Sequence, residues 1–181
     1  MVAFVQIDPA GRLWQVTDLL PLEQVETILN INWTSLATIK TTQQHFWLRE
    51  QVHWDEPGIK AACDAITAQL PAINQAVGTT FTQCGGHFWI DQPGFDCPMH
   101  TDGELQNSMQ IYWIAAGPEY GTGFYNNKRG DRLYQFASLV NTGYLMLNHL
   151  NEDGSQPLMW HAMFNPVPAG TIRVSSYWQF K

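Results

Sequence analysis

The sequence predicts an α+β fold, mainly β, built as one domain. Three observations predict it. Helical periodicity is confined to the first 80 residues. Short apolar and aromatic segments separated by turn residues fill the rest. No internal repeat or low-complexity linker divides the 181-residue chain. Hydrophobic residues make up 45% and charged residues 14%, the balance of a chain that folds around a substantial core. Eight tryptophans require burial or a pocket to line.

The helical part comes first. "DLLPLEQVETILNI" (18–31) sets Leu22, Val25, Ile28 and Leu29 on one face, with Asp18 and Pro21 as start signals. "EPGIKAACDAITAQLPAINQAVG" (56–78) starts at Pro57 and repeats Ile59, Ala62, Cys63, Ile66, Leu70 and Ile73 at helical spacing. Pro71 lacks the N–H a helix interior needs, so it breaks or kinks this stretch, and Gly78 ends it. Beyond residue 80, "TFTQCGGHFWI", "SMQIYWIAA", "GFYNN", "GYLMLNHL", "MWHAMFNPV" and "TIRVSSYWQF" read as strands, each bounded by Gly, Pro, Asn or Asp. Strands at that spacing point to a sandwich or barrel. The expected division is residues 1–79 as helical support packed outside a β core of residues 80–181.

A net charge of −7 gives no basic face for phosphates, which excludes nucleic acid as a partner. The basic cluster "NNKRGDR" (126–132) reads as a solvated hairpin tip, and its RGD as a chance triplet. No apolar run approaches the roughly 18 residues of a membrane span. The opening "MVAFVQIDPAGRLW" has no basic segment followed by an apolar one, so a cytoplasmic location is expected. Cys63, Cys84 and Cys97 are odd in number and form no CxxC, which argues against a disulfide framework or zinc knuckle. The sequon Asn32-Trp33-Thr34 is a match by pattern only.

Chemistry enters at "CPMHTDGE" (97–104), where His100 and Asp102 stand one residue apart between a proline and a glycine. Such a triplet is weak without context. "HAMFNPVPAGTIRVSSYW" (161–178) supplies it, with His161, a Pro/Gly turn at 166–170, then Arg173 and Ser175. An antiparallel hairpin centred near Val167 would set His161 roughly opposite Arg173, facing the same way, with Ser175 and Tyr177 following at period two. An arginine inside a barrel is expensive to bury unless it meets an anion. No acidic residue on these strands presents itself, so the expected partner is an anionic ligand held by the guanidinium and the Ser175 hydroxyl. Two histidines and one carboxylate on one face of an octahedron form the facial triad of non-haem Fe(II) oxygenases, which leaves positions open for a chelating co-substrate and O2.

The ordered set His100-x-Asp102, His161 and Arg173-x-Ser175 resembles the 2-oxoglutarate- and Fe(II)-dependent oxygenases, in particular the prolyl-hydroxylase-like branch with its double-stranded β-helix (jelly-roll, cupin-like) core. "SMQIYWI" (108–114) is similar to the strand after the first histidine there, and "GTGFYN" (121–126) to the Gly-rich turn that follows. The likeness covers about residues 80–181. It implies Fe(II) on His100, Asp102 and His161, with 2-oxoglutarate chelating the metal and its far carboxylate on Arg173, Ser175 and Tyr112. It also implies hydroxylation of a C–H bond in a small-molecule or peptide substrate, with release of succinate and CO2. Relatives that halogenate have a small residue in place of Asp102, so hydroxylation is the implied outcome.

Collagen-type prolyl hydroxylases carry lysine where this chain has Arg173, which makes the oxygen-sensor-like and bacterial variants the better comparison. Where several members carry tyrosines, this chain has Phe88, Trp89, Ile90 and Cys97, so the resemblance does not extend to prolyl specificity.

Other residues read more plainly. His87 and His149 are expected in the core or at its rim, and His45 and His53 at the surface. Trp113, Trp160 and Trp178 turn away from the site by strand alternation, whereas Trp89 fits either face. Gly121-x-Gly123 is a turn rather than a nucleotide loop. Trp54, Trp89, Tyr120, Tyr125 and the 126–132 loop are candidate walls for a substrate. Two other functions fit the same residues: a cupin-like metal enzyme that does not use 2-oxoglutarate, and a non-catalytic barrel that binds a partner.

Overall fold

A computed structural model describes residues 2–40, 48–102, 107–128, 130–147 and 159–181. Two antiparallel sheets form the frame of the described chain. The larger runs in the order β1 (Ala3–Gln6), β2 (Leu13–Thr17), β9 (Thr142–Met146), β6 (Asn107–Ile114), β11 (Arg173–Phe180), β5 (Cys84–Asp91), β4 (Arg49–Val52) and β3 (Thr38–Lys40). The smaller runs β10 (Trp160–Met163), β7 (Gly117–Tyr125) and β8 (Arg132–Ser138). Helices α1 (Leu22–Leu29), α2 (Pro57–Thr67) and α3 (Leu70–Val77) complete the described architecture, with a short 3-10 turn at Trp33–Ser35. Among the described residues, no helix is long and apolar enough to cross a membrane.

The helices form near where the apolar spacing places them, although Leu22 and Leu29 of the expected first apolar face are exposed and only Val25 and Ile28 of that face are buried. Pro57 and Pro71 each fall in the first turn of a helix, where a missing N–H removes no intrahelical bond. The stretch from 56 to 78 is therefore two helices, and Gly78 closes the second in the left-handed conformation. Val25, Ile28, Ile59, Ile66 and Ile73 pack on the outer face of the large sheet against Phe88, Ile111, Trp113 and Trp178. Full burial of each such side chain is worth about 1.5–3 kcal/mol. Trp113 also donates from Nε1 to Ser176 Oγ at 2.9 Å, so its polar atom is satisfied inside the core.

Alternation sends the opposite residues of the same strands inward. The register stacks them in cross-strand rows: Arg49, Asp91 and Arg173; then Gln51, Trp89, Ser175 and Tyr112; then His87, Tyr177, Gln110 and Tyr144. The inner face is thus polar and aromatic where the outer face is apolar.

The fold departs from the sequence expectation in three places. Residues 1–79 are not only helical, because β1 to β4 lie there and extend the large sheet on both sides. These strands are three to five residues long, too short for a period to register. β8 (Arg132–Ser138) likewise forms where the sequence predicts no strand. The third departure concerns residues 161–173, which do not form a hairpin. β10 belongs to the small sheet, where His161 pairs with Phe124, while β11 lies in the large sheet between β5 and β6. The Pro/Gly turn crosses between sheets instead, held by Val167 N–H on Phe95 O and Gly94 N–H on Val167 O, both 2.8 Å.

Asn141, with φ of 60°, ties the β8–β9 turn to the segment before α1. Its Oδ1 accepts from Leu20 N–H at 3.0 Å and its Nδ2 donates to Leu20 O at 2.9 Å, both buried. Asn141→Ala loses both bonds and keeps an unfavourable backbone, so calorimetry should record a loss of about 2–4 kcal/mol. Asn141→Gly relieves only the backbone part and should recover about 1 kcal/mol of it.

Candidate metal centre and its cavity

His100 lies on the loop after β5 and His161 on β10, and their backbones join in an isolated antiparallel bridge. His100 N–H donates to His161 O at 3.0 Å and His161 N–H to His100 O at 2.9 Å, which brings the rings to 4.2 Å between centroids. Each imidazole is then oriented by its own chain. His100 Nδ1 lies 2.7 Å from Pro98 O and His161 Nδ1 2.9 Å from Met159 O. A carbonyl can only accept, so both Nδ1 atoms carry the proton and both Nε2 atoms offer a lone pair.

Those lone pairs converge on Asp102. Its Oδ1 is 3.8 Å from His100 Nε2 and 3.6 Å from His161 Nε2, and one ligand atom from each of the three residues fits within 4.8 Å of the others. Such gaps are longer than hydrogen bonds, and slightly longer than the roughly 3 Å between neighbouring ligands of an octahedral ion bonded at about 2.1 Å. Two neutral imidazoles and one carboxylate suit a divalent transition metal. Burial lowers the pKa of His161 and the adjacent His100 adds to this, against Asp102 and the Met159 carbonyl, which favour the charged form. The net effect keeps that imidazole in the form that binds metal.

The three residues open on a cavity of about 630 Å³ between the sheets. On the opposite wall Arg173, 1% exposed, also faces the cavity. Its partner corrects the sequence reading, because an acidic residue does serve it. Arg173 donates from Nε and Nη2 to Asp91 Oδ2 at 2.9 and 2.6 Å, and from Nη1 to Tyr120 O at 2.7 Å. β5 extends one residue beyond Ile90, the end of the strand as read, and this places Asp91 directly across from Arg173.

Asp91 is shared. Arg49 on β4 binds its other oxygen through Nε and donates from Nη2 to Oδ2 at 3.0 Å. Burial alone would raise the Asp91 pKa, but the charges and hydrogen bonds of Arg49 and Arg173 hold it below the ordinary value. Arg49 also lies over Phe95 and Trp89, 4.3 and 5.3 Å from the ring centroids, and lines the cavity.

Tyr112 and Ser175 point inward but neither is exposed. Tyr112 Oη lies 2.7 Å from Thr122 Oγ1, and Ser175 Oγ accepts from Gln110 Nε2 at 3.2 Å, whose Oε1 accepts from Tyr144 Oη at 2.7 Å. Their hydrogen-bond partners Gln110 and Thr122, with Tyr144, reach the cavity wall in their place. These, with Arg49 and Asp91, are what the sequence reading missed. Gln110 and Tyr112 alternate in "SMQIYWI", and Tyr144 has its place in "GYLML", but nothing in the local pattern announced Arg49.

Trp89, His87 and Tyr177 complete this wall. Of the other candidate wall residues, Trp54 is 66% exposed and does not line the cavity, and Tyr120 contributes the carbonyl bound by Arg173. Tyr125 is half-buried, outside the cavity lining. His53 is at the surface near Asp55, Trp113 and Trp178 are core, and Trp160 is half-buried. His45 and His149 lie outside the described residues, as does part of the 126–132 loop.

No protein-family model and no curated protein sequence matches the chain. Solved structures do. A viral collagen prolyl hydroxylase from Paramecium bursaria Chlorella virus-1, in its 2-oxoglutarate complex, is 11% identical with a TM-score of 0.60, covering 93% of this chain and 94% of its own. A Pseudomonas putida prolyl-4-hydroxylase is 18% identical with a TM-score of 0.60, covering 98% and 96%. HygX from Streptomyces hygroscopicus, solved with nickel, 2-oxoglutarate and hygromycin B, is 10% identical with a TM-score of 0.62, covering 93% and 82%. What is shared at these identities is the fold, and the mainly-β architecture with its large antiparallel sheet is consistent with the jelly-roll core the resemblance implied.

His87 gives the site a pH signature. Burial, and secondarily the charge of Arg49, lower its pKa from 6.5 to about 4. The folded chain therefore binds this proton less readily than the unfolded chain. Stability from this group is complete above about pH 6.5, falls between about 6.5 and 4, and levels off below, for a total of up to about 2–3 kcal/mol. Urea unfolding across that range should show the slope, and His87→Phe should flatten it.

Proposed function

We propose that the protein is an Fe(II)- and 2-oxoglutarate-dependent dioxygenase that hydroxylates a C–H bond of a small-molecule or peptide substrate. The observation that carries this reading is the convergence of His100 Nε2, His161 Nε2 and Asp102 Oδ1 on one point of a cavity whose far wall presents Arg173. The strand order of the two sheets fits a double-stranded β-helix, with β9, β6, β11 and β5 as one face and β10, β7 and β8 as the other. His100, Asp102 and His161 would hold Fe(II), and Arg173 would take the far carboxylate of 2-oxoglutarate. When bound, the metal and co-substrate supply O2 activation, with succinate and CO2 released.

The remaining work belongs to the chain. The Nδ1–H bonds to Pro98 O and Met159 O keep both imidazoles aimed at the metal position. Arg173 uses three of its five N–H donors on Asp91 and Tyr120, which leaves two for a carboxylate. Ser175 and Tyr112 support the co-substrate from behind, through Gln110 and Thr122, whose side chains reach the cavity. Trp89 and Tyr177 shape the apolar wall that a substrate would lean on.

A metal enzyme on the same scaffold that does not use 2-oxoglutarate is the second reading. Asp91 favours it, since Arg173 already has a carboxylate partner. Anaerobic titration of the Fe(II)-loaded protein with 2-oxoglutarate separates the two. The proposal expects a weak visible charge-transfer band, absent in His161→Ala. Arg173→Ala should need at least about tenfold more co-substrate, equivalent to ~1.4 kcal/mol. Tight metal binding with no band would sink the 2-oxoglutarate assignment and leave the second reading.

A further inference from the structure

Arg173 does not face the cavity as an isolated cation. Asp91 is fully buried behind it and takes two of its N–H groups, so those two residues alone form a neutral pair. A neutral pair has little field to offer a dianionic ligand. Arg49 changes that balance. It stands on the other side of Asp91 in the same cross-strand row, binds the same carboxylate, and lines the same cavity as Arg173. Across these three side chains one positive charge is in excess. The rings of Phe95 and Trp89 beneath its guanidinium hold Arg49 in place, and the cavity lining adds Lys40 and Asp102, one charge of each sign.

We propose that Arg49 is a second guanidinium of the anion site, restoring the positive charge that Asp91 takes from Arg173 so that the cavity receives the distal carboxylate of a dianionic 2-oxo acid. Arg49 lies on β4, outside the part of the chain that carries the family resemblance. The inference rests on the 2-oxoglutarate reading above and adds a residue to it. It also gives Asp91 a purpose other than competition: by engaging both side chains in one row, it sets their planes before the ligand arrives.

The test compares two acids that share one chelating end. 2-Oxoglutarate carries a distal carboxylate and 2-oxobutanoate does not, while both present the same 2-oxo acid group to a metal. Affinities for each are read anaerobically from the charge-transfer band of the Fe(II)-loaded wild type, Arg49→Met and Arg49→Lys. Arg49→Met keeps the Asp91–Arg173 pair and replaces the stem with apolar volume. It should weaken 2-oxoglutarate at least about tenfold and leave 2-oxobutanoate within about twofold, and Arg49→Lys should recover most of the loss by restoring the charge. Equal weakening of both acids would mean a folding effect and overturn the inference, as would unchanged 2-oxoglutarate affinity in Arg49→Met. In either case a band in the wild type leaves the 2-oxoglutarate reading standing. A wild type with bound Fe(II) and no band for either acid removes that reading and this inference with it.

Discussion

A carboxylate with no exposure to solvent, shared between two guanidiniums, organises the inner face of the large sheet. Desolvating an ion costs several kcal/mol, recovered only where geometry and hydrogen bonds are good. Asp91 meets that demand with two donors from Arg49 and two from Arg173. The arrangement is possible only if β4, β5 and β11 are in register at that row, because a slip of one residue would turn one partner to the helical side. The same register then places Trp89 beside Ser175 and His87 beside Tyr177, so the ionic row and the cavity wall are one constraint.

The small sheet answers a different problem. The proposed metal site needs lone pairs aimed at one point, and here the aiming is local while the meeting is tertiary. Each histidine is oriented by the carbonyl two residues before it, a contact that moves with its own segment. The His100–His161 backbone bridge then joins the segments. Local orientation leaves the bridge only to bring the two rings into range. The cavity lies where the small sheet's histidine faces the large sheet's arginine, so the chemistry depends on both layers.

Legibility in the sequence followed the range of the interaction. "TIRVSSYW" showed by alternation that Arg173, Ser175 and Tyr177 oppose Val174, Ser176 and Trp178; Arg173 and Tyr177 do line the cavity and Val174 and Trp178 the core, while Ser175 is fully buried behind Gln110. Pro57, Pro71 and Gly78 marked helix boundaries because each acts on its own backbone. The Pro/Gly segment at 166–170 misled for the same reason. It has the composition of a hairpin turn, but the backbone partners of His161 lie on β7 and at His100, so the chain crosses between layers there. β1 to β4 escaped notice because three to five residues cannot display a period, and Arg49 went with them.

What the sequence by itself determined about this protein was therefore a set of faces and a set of ligand types. It placed the three helices in the first 80 residues, put inward residues at alternate positions of the later strands, and gathered two histidines, an aspartate and an arginine as candidates for one site. Only the tertiary structure decided who stands opposite whom. Asp91 and Arg173 become partners because β11 lies beside β5, and Arg49 joins them because β4 lies on the other side. Periodicity is a property of a few consecutive residues. Strand order is set by which buried faces and buried charges are satisfied together, and that is a property of the whole chain.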